Sequence, residues 1–79
     1  MNEIRCLADV KPGQVVKINK LLSTGSMRRR LLDIGLVEDT VVECLGKSPC
    51  GDPAAFLIRG AVIAIRSEDS CRILCRKIE

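Results

Sequence analysis

The alternation of apolar and polar residues along this chain predicts a series of short β-strands joined by short loops. Lysine, proline and glycine at 11–13 form a turn signal, and Arg59-Gly60 offers the freedom of a tight hairpin turn between two apolar runs. The β-branched or alternating runs between such signals are the predicted strands: residues 14–22, 40–45, 54–59, 61–66 and 71–78.

One segment has the period of a helix instead. Met27, Leu31 and Ile34 recur at i, i+4 and i+7, which places them on one face of a short amphipathic helix. Hydroxyl residues at 23–26 can cap its start, and Gly35 fits a left-handed C-terminal cap. The polar residues 67–70 are interpreted as a connection before the last strand.

These elements predict a mainly β fold, a small five-stranded SH3-like barrel with one short α-helix. Closing the sheet into a barrel is the simplest way to hide the edges of so many short strands. The 79 residues carry no repeat and no linker, so residues 1–79 are expected to form a single domain. A domain of this size encloses no deep cleft, and we therefore expect no enzyme.

Composition narrows the chemistry further. The chain has no His, Trp or Tyr and a single Phe, which removes the usual general base and the platforms on which nucleic-acid bases stack. Its net charge of +3 is modest, so no nucleic-acid partner is expected, although a small RNA-associated barrel stays a third alternative. No secretory pattern and no membrane-spanning stretch are present, which predicts a cytoplasmic protein without membrane insertion.

The cysteines point to packing more than to metal binding. They are odd in number and have no two-residue spacing, and Cys71 and Cys75 on one strand would lie about 13 Å apart. We expect reduced thiols, no metal site and no tightly bound cofactor. Only approaches between Cys44 and Cys50, or between Cys6 and the last strand, stay open.

Several motifs taken together resemble the FeoA family: RLLDIGL at 30–36, PCGDP at 49–53, Arg59-Gly60, IAIR at 63–66 and a lead-in at 7–13. The resemblance spans nearly the whole chain. It implies a small cytoplasmic accessory of ferrous iron uptake that binds the cytosolic part of a FeoB-type membrane transporter and modulates it. A similar module forms the C-terminal domain of iron-dependent repressors, so a metal-responsive regulatory module is the alternative. Any association with ferrous iron is expected to be weak or indirect.

Two positions depart from the family's pattern. Glu38-Asp39 stands where the family commonly has Pro-Gly, so a type II turn would need Asp39 at positive φ, whereas a type I turn would not. Cys50 replaces an aliphatic residue and would act as a small hydrophobe if buried or as a reactive thiol if exposed.

The predicted partner surface is an apolar groove near the helix and the 51–53 loop, rimmed by arginines. Its candidate residues are Met27, Arg28, Arg29, Leu31, Gly51, Asp52 and Pro53. The competing interpretation is structural: the arginines lie on a solvated helix face, with Arg30 paired to Asp33, and the Asp33 and Asp52 carboxylates accept local hydrogen bonds. A homo-oligomer formed through an exposed sheet edge also stays open.

Overall fold

The computed structural model describes residues 4–78, which form six strands, a ten-residue helix and two shorter helical segments. The five predicted strands and the predicted helix are confirmed. The prediction is corrected at two places: a short strand precedes residue 7, and the predicted connection at 67–70 forms a second helix. The elements are β1 (Ile4–Cys6), a 3-10 turn (Leu7–Asp9), β2 (Val15–Leu21), α1 (Gly25–Ile34), β3 (Val41–Lys47), β4 (Ala54–Ile58), β5 (Ala61–Ile65), α2 (Ser67–Ser70) and β6 (Ile73–Lys77).

The strands of the described segment form one antiparallel sheet in the order β1-β6-β2-β3-β4-β5. The mainly β, SH3-like character is confirmed, but the five-stranded barrel is wrong in detail. A sixth strand, β1, pairs with β6 so that Arg5 lies opposite Cys75, and the sheet is open with β1 and β5 at its edges. Three residues are too few to show the alternation by which a strand is recognised in a sequence.

Two turns depend on residues with positive φ. Arg59 and Gly60 have φ of 49° and 84°, the pair of left-handed residues that a type I′ hairpin turn between β4 and β5 requires. Asp39 has φ of 70°, and the Thr40 N–H donates to the Val37 carbonyl at 3.1 Å, as in a type II turn. The type II alternative for Glu38-Asp39 is therefore confirmed.

Helix α1 ends in a Schellman motif at Gly35. That glycine has φ of 105°, and its N–H donates to the Leu32 carbonyl at 3.0 Å. The Leu36 N–H donates to the Leu31 carbonyl at 3.0 Å, and both of these leucines are buried. The end of the helix is thus held to the core by two buried side chains.

The core is formed mainly by inward residues of the strands, joined by Leu31 of α1 and by Leu7 and Val10 at the 3-10 turn. Inward positions of the strands alternate with outward ones, and Phe56, 1% exposed, has the largest of the fully buried side chains. The buried apolar residues are Leu7, Val10, Val16, Ile18, Leu21, Leu31, Leu36, Val42, Cys44, Ala54, Phe56, Ile58, Ile65, Ile73 and Cys75.

None of the helices within residues 4–78 is long and apolar enough to cross a membrane.

Candidate functional site

A groove of about 160 Å³ lies between α1 and the edge strand β5. Apolar side chains from both elements form its floor, and exposed Arg30 and Arg66, with half-buried Asp69, form its rim. Its volume is below the about 300–1,000 Å³ typical of sites that enclose small molecules. The residues that line it are Met27, Arg30, Leu31, Ile34, Ile63, Ala64, Ile65, Arg66 and Asp69.

The floor of the groove follows from two local periodicities. On α1, the predicted stripe places Leu31 in the core at 2% exposure, with Met27 and Ile34 packed half-buried at its margin. On β5, the period of two turns Ile63 and Ile65 toward the same space. The predicted apolar surface around Met27 and Leu31 is therefore present, and β5 forms its opposite wall.

The three consecutive arginines of α1 face different surroundings. Arg28 turns away from the groove: its Nη1 donates to the Leu21 carbonyl at 3.1 Å, and it lines a separate hollow with Lys20 and Glu38. Arg29 is exposed and lines none of the hollows described here. The predicted rim of Arg28 and Arg29 is replaced by Arg30 and Arg66, because successive helical residues point about 100° apart.

The 51–53 loop lies beyond β5 and does not share the groove with α1. The Asp52 carboxylate accepts hydrogen bonds from the Ser67 N–H at 2.8 Å and the Ser67 hydroxyl at 3.2 Å, and the Asp52–Pro53 peptide bond is cis. Gly51 and Asp52 line a hollow of about 80 Å³ that shares Ile65 with the groove. Asp52 therefore fixes the loop to α2, which agrees with the structural interpretation of this carboxylate.

Asp33 lies exposed on α1. Within residues 4–78 its carboxylate accepts no hydrogen bond and forms no ion pair, so the predicted pairing with Arg30 is not formed. The ion pair at the sheet surface joins Arg76 and Asp39 instead.

The cysteines are all free thiols and fall into distinct environments. Cys50 is exposed, and hydrogen bonding with the Ser48 hydroxyl, followed by backbone hydrogen bonding at Asp52, lowers the pKa of its thiol. Burial raises the pKa of the Cys75 thiol to about 11, with a smaller contribution from Cys6 on the neighbouring strand. Within residues 4–78, no three Cys, Asp or Glu side chains come together as metal ligands would.

Five groove residues outside α1 were missed as candidates: Ile63, Ala64, Ile65, Arg66 and Asp69. Their own strand or loop was predicted, but nothing local in the sequence indicates that β5 lies beside α1. Arg30 was considered only as a residue of the solvated helix face, paired to Asp33. Its place at the rim could have been found from the helical wheel, since it lies three residues after Met27 and four before Ile34.

The fold and the groove define a small SH3-like module with a concave surface between a helix and a sheet edge. The FeoA domain model matches residues 5–77, and the chain therefore belongs to the FeoA family. Among curated proteins, none matches this chain.

Solved structures agree with this assignment. The FeoA-like protein from Clostridium acetobutylicum is 29% identical with a TM-score of 0.89, and the alignment covers 100% of this chain and 92% of that one. The FeoA protein from Chlorobium tepidum is 26% identical with a TM-score of 0.89, over 94% of this chain and 70% of that one. A manganese-dependent transcriptional repressor is 16% identical with a TM-score of 0.86, over 99% of this chain and 44% of that one, which shows the fold alone.

Proposed function

We propose that this chain is a non-enzymatic accessory of ferrous iron uptake that docks on the cytosolic part of a FeoB-type transporter and modulates it. Membership of the FeoA family supports the iron-uptake setting. The observation that carries the docking role is the groove between α1 and β5, whose apolar floor and charged rim of two arginines and one aspartate are the parts of an interaction surface.

The chemistry of the chain supports an interaction module better than a catalyst or an iron carrier. It has no His, and neither of its exposed thiols, Cys50 and Cys71, lines the groove. Iron, if it acts, would act on the transporter or on the complex.

The direct test is a titration of the labelled chain against the isolated cytosolic domain of the transporter, with and without guanine nucleotide and ferrous ion. Saturable binding is expected. A dependence on nucleotide or iron would identify the state that the module senses. No binding under any condition would overturn the proposal.

The double variant Arg30→Glu/Arg66→Glu tests the rim. It should weaken binding about tenfold, equal to about 1.4 kcal/mol, mainly through slower association and with an altered salt dependence. The control Lys20→Glu/Arg72→Glu makes the same change of charge at exposed residues outside the groove and should bind within about twofold of wild type. Equal losses in both variants would mean that only net charge matters.

A metal-responsive regulatory module acting with a separate DNA-binding protein is the second candidate. It is favoured by the fold shared with a manganese-dependent repressor. Co-purification with a repressor in place of a transporter fragment would support it over the first.

A further inference from the structure

Strand β5 ends the sheet and, within residues 4–78, pairs with β4 only. The type I′ turn makes Ile58 and Ala61 a hydrogen-bonded pair, and the bonded pairs then alternate along the hairpin through Phe56 and Ile63. The N–H and C=O groups of Val62 and Ala64 therefore point away from β4, along the open edge of the sheet.

This edge has none of the usual features that prevent another strand from pairing with it. The run Ala61–Ile65 contains no charge and no proline, and its pairing with β4 continues without a register shift. Val62 is 66% exposed, more than any other large apolar residue described. Ordinary edge strands are protected by charged side chains, proline or a bulge, and at β5 the nearest charges are Arg59 and Arg66, outside the strand.

Both faces beside the edge offer apolar contacts to an added strand. On the inner side the groove of α1 can receive alternate side chains against Met27 and Ile34. On the outer side Val62 lies opposite half-buried Leu57, and Ala64 lies opposite Ala55. An extended segment alternates its side chains between two faces, so one strand can use both sets of contacts.

The charges around the edge indicate the occupant. Arg59 and Arg66 flank the strand, and Arg30 lines the groove beside it, where half-buried Asp69 is the one acidic lining residue within residues 4–78. Two copies paired antiparallel about Ile63 would place Arg66 of each opposite Gly60 of the other, one position from Arg59, so positive charges would gather at both flanks. A segment with an apolar centre and acidic ends would instead place opposite charges at both flanks.

We propose that the open edge of β5 binds an extended partner segment, with apolar residues at alternate central positions and acidic residues at its ends, as an added antiparallel or parallel strand. The inference rests on the proposed function, because it names how the transporter's cytosolic part is recognised. Backbone hydrogen bonds to Val62 and Ala64 give affinity, and the groove and the arginines give specificity.

A designed peptide tests the edge without the transporter. The capped peptide DEVTVTVED, titrated into the isotope-labelled chain, should shift the amide signals of residues 61–65 and of the α1 groove. The same peptide N-methylated at its five central residues should bind at least tenfold more weakly, because it cannot form the ladder. A KKVTVTVKK peptide should also bind more weakly. Equal binding by the methylated peptide would overturn the proposal.

Variants of the chain connect the edge to the transporter. Val62→Pro removes one outward N–H that β4 does not use and should lower affinity for the peptide and for the transporter's cytosolic domain at least tenfold. Val62→Thr keeps the N–H and the branched side chain and should lose much less affinity than Val62→Pro.

The two proposals fail in different ways. If the cytosolic domain binds wild type and Val62→Pro equally, the edge inference is overturned and the proposed function stands. If that domain does not bind wild type at all, the proposed function fails, and peptide binding alone decides whether the edge accepts a strand. Concentration-dependent self-association that Val62→Pro abolishes would assign the edge to a second copy and overturn the acidic partner.

Discussion

Replacing Gly35 with alanine should destabilise the fold, because the added Cβ has two independent energetic costs, one in backbone conformation and one in packing. Its φ of 105° lies in the left-handed region, which costs a residue with a Cβ about 1–2 kcal/mol. The new Cβ would also lie 2.5 Å from Cδ and 2.7 Å from Nε of Arg59, so that side chain must move. Arg59 would then lose the hydrogen bond from its Nε to the Gly35 carbonyl, now 3.3 Å long.

The lost hydrogen bond is exposed and contributes about 0.5–1 kcal/mol. The total destabilisation is about 2–3 kcal/mol, which lowers the Tm of a domain this small by about 10–20 °C. Urea and thermal unfolding followed by circular dichroism would measure it. Gly46→Ala is the matched control, since nothing lies within 4 Å of its added Cβ and its φ is not positive, and it should change stability little.

The Arg59→Ala background separates the two costs. If the contact with Arg59 is real, Gly35→Ala should cost about 1 kcal/mol less there than in wild type, as a double-mutant cycle measures. If Gly35→Ala destabilises both backgrounds equally, the Arg59 side chain moves aside without loss of stability. A wild-type Gly35→Ala variant with an unaltered free energy of unfolding would refute the whole argument.

Further predictions concern one buried hydroxyl and two thiols. Thr40→Val should lower the free energy of unfolding in urea by about 1–2 kcal/mol, because the Thr40 hydroxyl donates to the Gly35 carbonyl at 2.9 Å and Thr40 is 8% exposed. Thr40→Ser should retain most of the stability, and equal losses in the two variants would contradict this. Cys50 should be the first thiol that iodoacetamide alkylates near neutral pH, since the Ser48 hydroxyl lowers its thiol pKa. Mass spectrometry should show slower labelling of Cys50 in Ser48→Ala, and labelling of a buried thiol before Cys50 would contradict the prediction. The pKa of Cys75 rises on folding from 9.0 to about 11, so the folded state holds the proton more tightly. Its contribution to stability is present below pH 9 and should be lost between pH 9 and 11, a loss that Cys75→Ala should remove.

Local sequence patterns predicted most of the fold. The stripe of Met27, Leu31 and Ile34 and the hairpin turn at Arg59-Gly60 were predictable because each depends on residues within a few positions of one another. The strand β1 was not, since its three residues gain their conformation from pairing with β6 about seventy residues later. Helix α2 has only four residues, less than the helical period needs to become visible.

The two walls of the groove differ in the same way in how well the sequence predicts them. Its helix wall follows from α1 alone, whereas its strand wall depends on a contact between segments some thirty residues apart. Arg28 shows the limit most clearly. The sequence placed it with Arg29 at a binding rim, but the Leu21 carbonyl at the end of β2 accepts its Nη1 hydrogen, a contact that only the tertiary structure reveals.

The position of β6 between β1 and β2 has a consequence for the kinetics of folding. Strands β2 to β5 follow one another in sequence and in space; the β3–β4 and β4–β5 pairings close short loops, and the β2–β3 pairing closes a segment that contains only α1. The other half of the sheet needs a strand from the far end of the chain, and the Cys75 thiol donates to the carbonyl of Arg5 across that distance. We expect the β2–β5 meander to form early and the insertion of β6 to limit the rate, as distant pairings do in β proteins.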